Sequence, residues 1–499
     1  MSKINPDHND ANKLALKYAL VFTDLYCYEG LLQLDRIFTD SLASADASLC
    51  QRLIAARANP AALDKNRESE LLIELAPHVE TFIGELFGID EHLYALSARA
   101  AALNPLYSCK KKFVQRVAKK VGVQTISDEA AQSVVDRLTT MFGEPFSEMA
   151  FARHVMDWLA DSQVHAEMLA LAADFAEWAV HSQSGRQQYA GGVLFHLPVP
   201  VDPMQLVPLE RVQVSGAEAL QGPRASLRHR EGFKLTDGGC DLSGALEQAH
   251  YCVWCHHQGR DSCSIGLKDK EQAQFKQTGF GVQQAGCPLE EKISELNLLA
   301  ADGHLLGALA VACVNNPLLA ATGHRICNDC MKACIYQKQQ AVNIPEVESR
   351  ILKEVLHLPW GFEVYSLLTR WNPLNLVRPL PQQPSGYKVL IAGLGPAGFT
   401  LAHQLMQGGH SIIAVDGLKI EPLAPEISGV MAKGQRVQFR PIRDINVLYE
   451  SLDEPAIAEK KNSRTQIPSL SPNHLKCKLI SLIGRKSTHM RLQRDDNSR

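Results

Sequence analysis

This sequence predicts a mainly α, multidomain chain: a helical N-terminal region, a cysteine-rich α-helical domain, and the opening of an α/β nucleotide-binding unit. Three observations predict it. Apolar residues recur at helical spacing through residues 13–185 with few breakers. Nine of the 13 cysteines crowd between Cys240 and Cys334. A strand, a glycine-rich turn, a helix and a second strand follow one another between Lys388 and Asp416.

The helical region spans residues 1–185. Leu14, Leu16, Tyr18, Ala19, Val21 and Phe22 set its first apolar face. Asn104-Pro105 reads as a break between helices, and Ser127-Asp128 as a new start. Glu148 to Ser182 lacks Gly and Pro and predicts one or two helices. Trp158, Met168 and Trp178 read there as the buried stripe of a helix rather than a binding box. Residues 186–245 read as an extended connector. Prolines and alternating apolar positions suggest short strands in Val193 to Val214, and Gly216 to Gly239 reads as polar loop. The cysteine-rich domain covers 246–377, with helical patterning at Glu290 to Cys313. A Pro-rich linker covers 378–386, the α/β unit 387–455, and a basic, solvated tail 456–499.

Hydrophobic residues are 45% and charged residues 21%, which suits an ordinary buried core. A net charge of −3 gives no electrostatic argument for nucleic acid or an anionic membrane as partner. Met1 to Asn12 lacks the basic and apolar regions of a signal peptide. The most apolar stretch, Leu305 to Val314, is too short to span a bilayer. The expectation is a cytoplasmic protein with no membrane span. Its cysteines then serve metal or cluster ligation rather than disulfides.

Cys27, Cys50, Cys109 and Cys477 are isolated, and Cys240 and Cys313 read as spare, Cys313 as core. The informative groups are Cys252-Val-Trp-Cys255 with Cys263, Gly286-Cys287-Pro288, and Cys327-Asn-Asp-Cys330-Met-Lys-Ala-Cys334. Thiolates two or three residues apart on a turn reach one centre together, and a Cys-Pro often serves a neighbouring cluster. Seven such cysteines suit two [4Fe-4S] clusters with a carboxylate as the last ligand, so this stretch is predicted as an iron–sulfur domain. A Cys₄ zinc knot from Cys252/Cys255 and Cys327/Cys330, or one completed by His256, His257 or His324, is the alternative; it leaves Cys263, Cys287 and Cys334 unused.

Lys388 to Ala392 reads as a buried parallel strand. Gly393-Leu-Gly395-Pro396-Ala397-Gly398 follows, then a helix from Phe399 to Gln407 closed by Gly408-Gly409, then a strand from Ser411 to Val415 ending at Asp416. In this context the glycines permit the tight turn, the approach of a pyrophosphate and close helix packing, and the acid meets a ribose hydroxyl. The unit is therefore predicted as the start of a Rossmann domain. No Ser/His/Asp or paired-carboxylate arrangement argues for a hydrolase, and no catalytic side chain is singled out.

The segment Gly286 to Asn297, the Asn315-Asn-Pro317 and Thr322-Gly-His-Arg-Ile-Cys327 runs, Cys330, Cys334 and Val342 to Glu348 together resemble the N-terminal cluster domain of the glutamate synthase small subunit, a module shared with dihydropyrimidine dehydrogenase. The resemblance runs from roughly Cys252 to Leu452. It implies an NAD(P)H:FAD oxidoreductase with two [4Fe-4S] clusters. Cys252, Cys255, Cys263 and Cys334 would hold one cluster. Cys287, Cys327 and Cys330 would hold the other, with Glu348, or failing it Glu346, as fourth ligand. It also implies that the Gly-rich turn opens an FAD domain, with Pro441 to Ile445 a later segment of it. Relative to the family, seven residues precede Cys263 and 23 precede Cys287, both longer gaps than usual. The resemblance further implies a chain truncated within the FAD domain, with its redox partner or the rest of the enzyme on another chain. A non-catalytic cluster-bearing scaffold subunit and a zinc-stabilised interaction protein are the other expectations. No role is read for the N-terminal helices, and the bridging run Leu358 to Leu374 reads as packed linker.

Overall fold

The computed structural model describes residues 14–118, 126–200, 202, 204, 206–207, 209–222, 238–259, 261–269, 274–323, 326–416, 425–429, 431, 435, 437–447 and 490–492. The expected tail 456–499 with Cys477, apart from the backbone of 490–492, and His324 lie outside them.

The chain is mainly helical, and several of its helices begin where short polar side chains satisfy free amides. Asp46 accepts from Leu49 N at 2.9 Å to start Ala47–Ala58, and Asp64 from Arg67 N at 2.9 Å to start Lys65–Phe87. Ser127 caps Asp128–Phe142, as its sequence predicts, and Ser147 caps Glu148–Ala160. Glu148 to Ser182 forms two helices, the second being Ala166–His181. Trp158 and Trp178 are buried in it, Trp178 donating to Asp128 Oδ1 at 2.8 Å, so the stripe is core. Pro105 sits in the first turn of Asn104–Cys109, after the break at 102–103.

One core runs from Leu20 to Ile445. Its centre is the Leu305–Asn315 helix, whose residues from Leu305 to Cys313 are all buried. Apolar on every side, it is a core helix. It packs on Lys65–Phe87 so closely that a Cβ on Gly307 would stand 3.1 Å from Ala76 O. The bridging run is part of this core and not a linker. Its Gly361–Leu368 helix is buried throughout. Trp371, fully buried, meets Phe38 and Phe82 with ring centroids 5.9 Å away and donates to Asp35 Oδ1. Tyr26, in the Phe22–Tyr26 turn, donates to Glu363, which also accepts from Ile442 N at 3.0 Å. The first and last described stretches of this core thus meet on one carboxylate.

Among the described residues, the expected strands of Val193 to Val214 reduce to β1 (Glu210–Val214). It pairs antiparallel with β2 (Ala217–Gln221), inside the expected loop. Ser215 and Gly216, with φ of 53° and 83°, make the tight turn that lets the two strands pair. β3 (Lys388–Ala392) and β4 (Ser411–Val415) have the expected bounds, pair in parallel, and carry the Pro396–Gln407 helix between them; the backbone of β5 (Met490–Leu492) joins β4. The helix starts three residues before its expected position. β3 is not the buried strand its composition implies. Only Ile391 in it is buried, and Leu390 is 66% exposed, because the described sheet carries a helix on one face.

Candidate functional site: a cysteine-lined cavity and a glycine-rich turn

The Leu242–Tyr251 helix, capped by Asp241, delivers the chain to Cys252. Trp254 takes a left-handed φ of 51° and turns the backbone into the short Cys255–Gln258 helix. Ser262–Ile265 then carries Cys263. The long gap to Cys287 folds out and back. Isolated bridges pair Lys268 with Phe275 and Gln277 with Gln283, and Cys287 N donates to Cys263 O at 2.8 Å. Gly286, with φ of 81°, makes that return possible; a Cβ there would meet Gly266 N at 2.5 Å. The insertion therefore leaves the Cys-Pro beside the first group.

Cys252, Cys255, Cys263 and Cys334 line one small cavity, together with Ser262, Asn297 and the apolar Ile335, Val342 and Ile344. Burial pushes the Cys252 thiol up to about 11 and Cys255 to about 12, and raises Cys263 and Cys334 as well. Neighbouring Asp261, 3.0 Å from the Cys263 sulfur, adds to the rise. Burial keeps the proton on such thiols until a positively charged centre binds the sulfurs and displaces it. Tyr251 and Tyr336 stack beside the cavity at 4.6 Å.

Cys287, Cys330 and Glu348 form a second group with Glu291. Burial, then the nearby carboxylates, pushes Cys287 up to about 11 and raises Cys330. Burial and the Glu291 charge hold Glu348 well above the carboxylate range, and Glu348 shares a hydrogen bond with Glu291. Cys327 is exposed, yet its charge is felt at Glu348. Glu346 sits elsewhere: it hydrogen-bonds Cys240, whose thiol burial pushes to about 12. Among the described residues, no three His, Cys, Asp or Glu side chains converge at the spacing a single metal ion needs. His256 turns its Nδ1 to Ser294 Oγ at 2.6 Å, and burial lowers it to about 4.

At the glycine-rich turn the three glycines differ. A Cβ on Gly398 would strike Gly393 O at 1.9 Å, so helix and strand pack only without a side chain there. A Cβ on Gly395 would meet nothing within 4 Å, and its φ of −64° suits any residue. Among the described residues no contact requires a glycine at that position. Pro396 and Ala397 open the helix's first turn. Asp416 Oδ2 accepts from Leu394 N at 2.5 Å and so ties the turn to the end of β4.

Sequence reasoning passed over Ser262, Glu291 and Asn297. Glu291 and Asn297 lie in the same run as Cys287-Pro288, which was the only available signal.

A family model described as the RP005 N-terminal alpha-helical domain matches residues 16–88. The chain is 64% identical over 107 residues to the uncharacterised protein RP006 of Rickettsia prowazekii, which is 21% of this chain and 15% of that one. It is 34% identical over 130 residues to the glutamate synthase [NADPH] small chain of Bacillus subtilis, 26% of this chain and 23% of that one. It thus spans a minor part of both. The uncharacterised protein RP005 of Rickettsia prowazekii is matched at 30% identity over 286 residues, 54% of this chain and 94% of that protein. On that coverage, the chain belongs to the family of RP005.

Proposed function

We propose that this chain is an electron-transfer oxidoreductase of the glutamate synthase small chain type, carrying two [4Fe-4S] clusters and an FAD site. The observation that carries the reading is the single cavity shared by Cys252, Cys255, Cys263 and Cys334, four cysteines spread over 83 positions of chain. The donor set fits a cluster: buried thiols, apolar walls, and a buried amide, that of Asn297, turned toward the Cys252 sulfur at the lining. Cys287, Cys327, Cys330 and Glu348 would hold the second cluster. The similarity to the Bacillus subtilis small chain supports the same class.

The empty space at Gly393 and Gly395, with the helix N-terminus behind it, fits the diphosphate of FAD. When bound, the flavin would supply two-electron exchange with NAD(P)H and the clusters single-electron transfer. The protein's part is to hold and shield. The cysteines fix the cluster and the apolar walls keep water from it. Gly398 seats the helix against β3, and Asp416 keeps the turn in its open form.

Anaerobic reconstitution with iron and sulfide tests this, followed by iron, sulfide, zinc and flavin assays on one sample. About eight irons per chain with a broad thiolate-to-iron absorbance support it. Iron without flavin leaves a cluster-bearing electron-transfer subunit. Zinc without iron sinks the redox reading.

A further inference from the structure

Asn297 comes off the Ile293–Ala301 helix with no solvent exposure, and its buried amide reaches no oxygen or nitrogen partner among the described residues, only the Cys252 sulfur. The Ser262 hydroxyl is likewise buried without a partner. Both line the cavity of Cys252, Cys255, Cys263 and Cys334, whose other walls include Val253, Ile335, Val342 and Ile344. Natural folds leave few buried polar groups unpaired, and each exception asks for an explanation. Here two polar groups from separate elements, neither with an oxygen or nitrogen partner among the described residues, share a cavity whose remaining polar atoms are mainly sulfur. The Asn297 amide already draws the Cys252 thiol down against burial, so it lies close to that sulfur.

We propose that the Asn297 amide N–H and the Ser262 O–H donate hydrogen bonds to the sulfurs of an iron–sulfur centre held by these four cysteines, and that Asn297 sets its reduction potential. The proposal rests on the cluster reading above. A donor to sulfur stabilises the more negative, reduced state more than the oxidised one. Asn297 is thus a positioning residue that makes one-electron reduction easier, and Ser262 adds to it. Leucine has the same outline as asparagine and no donor, so Asn297→Leu removes the bond while keeping the wall.

The experiment compares the reconstituted full-length parent, Asn297→Leu and Ser262→Ala. Iron is assayed, midpoint potential is read by electron paramagnetic resonance during dithionite titration, and exchangeable-proton couplings are read in H₂O and D₂O. The expected result for Asn297→Leu is unchanged iron, loss of one exchangeable-proton coupling, and reduction about tenfold less favourable, which is about 59 mV lower for a one-electron couple. Ser262→Ala should move the potential the same way by less. Full iron with an unmoved potential and unchanged couplings in both variants overturns the proposal alone. A parent that takes up no iron overturns the cluster reading and this inference with it. Should Asn297→Leu not load, the parent's couplings and Ser262→Ala decide: no exchangeable coupling in the parent, or no shift in that variant, overturns it.

Discussion

Replacing Lys110 by methionine should destabilise the fold by about 3–5 kcal/mol, the usual cost of stranding one half of a buried ion pair. Lys110 Nζ lies 2.7 Å from Glu247 Oε1, with the two side chains 6% and 10% exposed. It also donates to Val193 O at 2.8 Å. At that separation the attraction is about 6 kcal/mol with an effective dielectric of about 20. The gain offsets the desolvation of both charges, so the net value of the pair is small while the loss of one partner is large. Methionine fills the same volume, so packing changes little. Among the described residues Glu247 then keeps the Gln248 amide as its hydrogen-bond donor. The assay is urea unfolding followed by circular dichroism, with the midpoint shift read at constant slope. The double variant Lys110→Met/Glu247→Leu should recover most of the loss. A single variant within 1 kcal/mol of the parent would refute the reasoning, since a buried unpaired carboxylate cannot be that cheap.

Glu295 is 2% exposed, and burial, then the charge of Asp261, pushes it from 4.5 up to about 7. Its folded form holds a proton that the unfolded chain releases, so stability falls as pH rises from about 4.5 to about 7 and is level above. At about 1.4 kcal/mol per pH unit the loss is on the order of 3 kcal/mol, and Glu295→Gln should remove it. Melting temperatures that fail to diverge between parent and variant across that range would contradict this. His304 is raised by its hydrogen bond to Glu80, 3.3 Å away; the stabilisation is complete below pH 6.5 and lost as pH rises through the raised value. Glu80→Gln should flatten that part of the melting profile near neutral pH, and an unchanged profile argues against the pair. Gly398→Val places carbon against Gly393 O, so flavin retention should fall at least tenfold while iron content is kept; equal flavin in both proteins would mean the turn is not the site. Cys334→Ser should lower iron more than Cys27→Ser, since Cys27 is exposed and distant in sequence from the cavity; equal iron would remove Cys334 from the ligand set.

Local signals in the chain carried far. Ser127 and Pro105 mark helix starts because capping and proline chemistry depend on neighbours alone. The bounds of β3 and β4 were legible because glycines and a closing acid bracket them. The β1–β2 hairpin was not, since its only signal is Ser215-Gly216 within polar sequence. Nor was the role of Leu358 to Leu374. Its Trp371 meets Phe38 and Phe82, which lie far earlier in the chain, and no spacing rule reaches that far. The cavity was partly legible. Cysteine spacing singles out seven thiols and the family resemblance groups these four, but a buried asparagine beside them shows itself only when the surrounding atoms are known. The family match at 16–88 likewise had no local motif to announce it.

The buried Leu305–Asn315 helix sets a timetable for the cell. The Lys65–Phe87 helix leaves the ribosome with the strip around Ala76 uncovered, and the helix that covers it is made more than 200 residues later. At about 5–20 residues per second that strip waits roughly 10–45 seconds for its partner. During that interval the nascent chain resembles a misfolded one to any chaperone. Yield should therefore respond to translation speed and chaperone supply before it responds to iron.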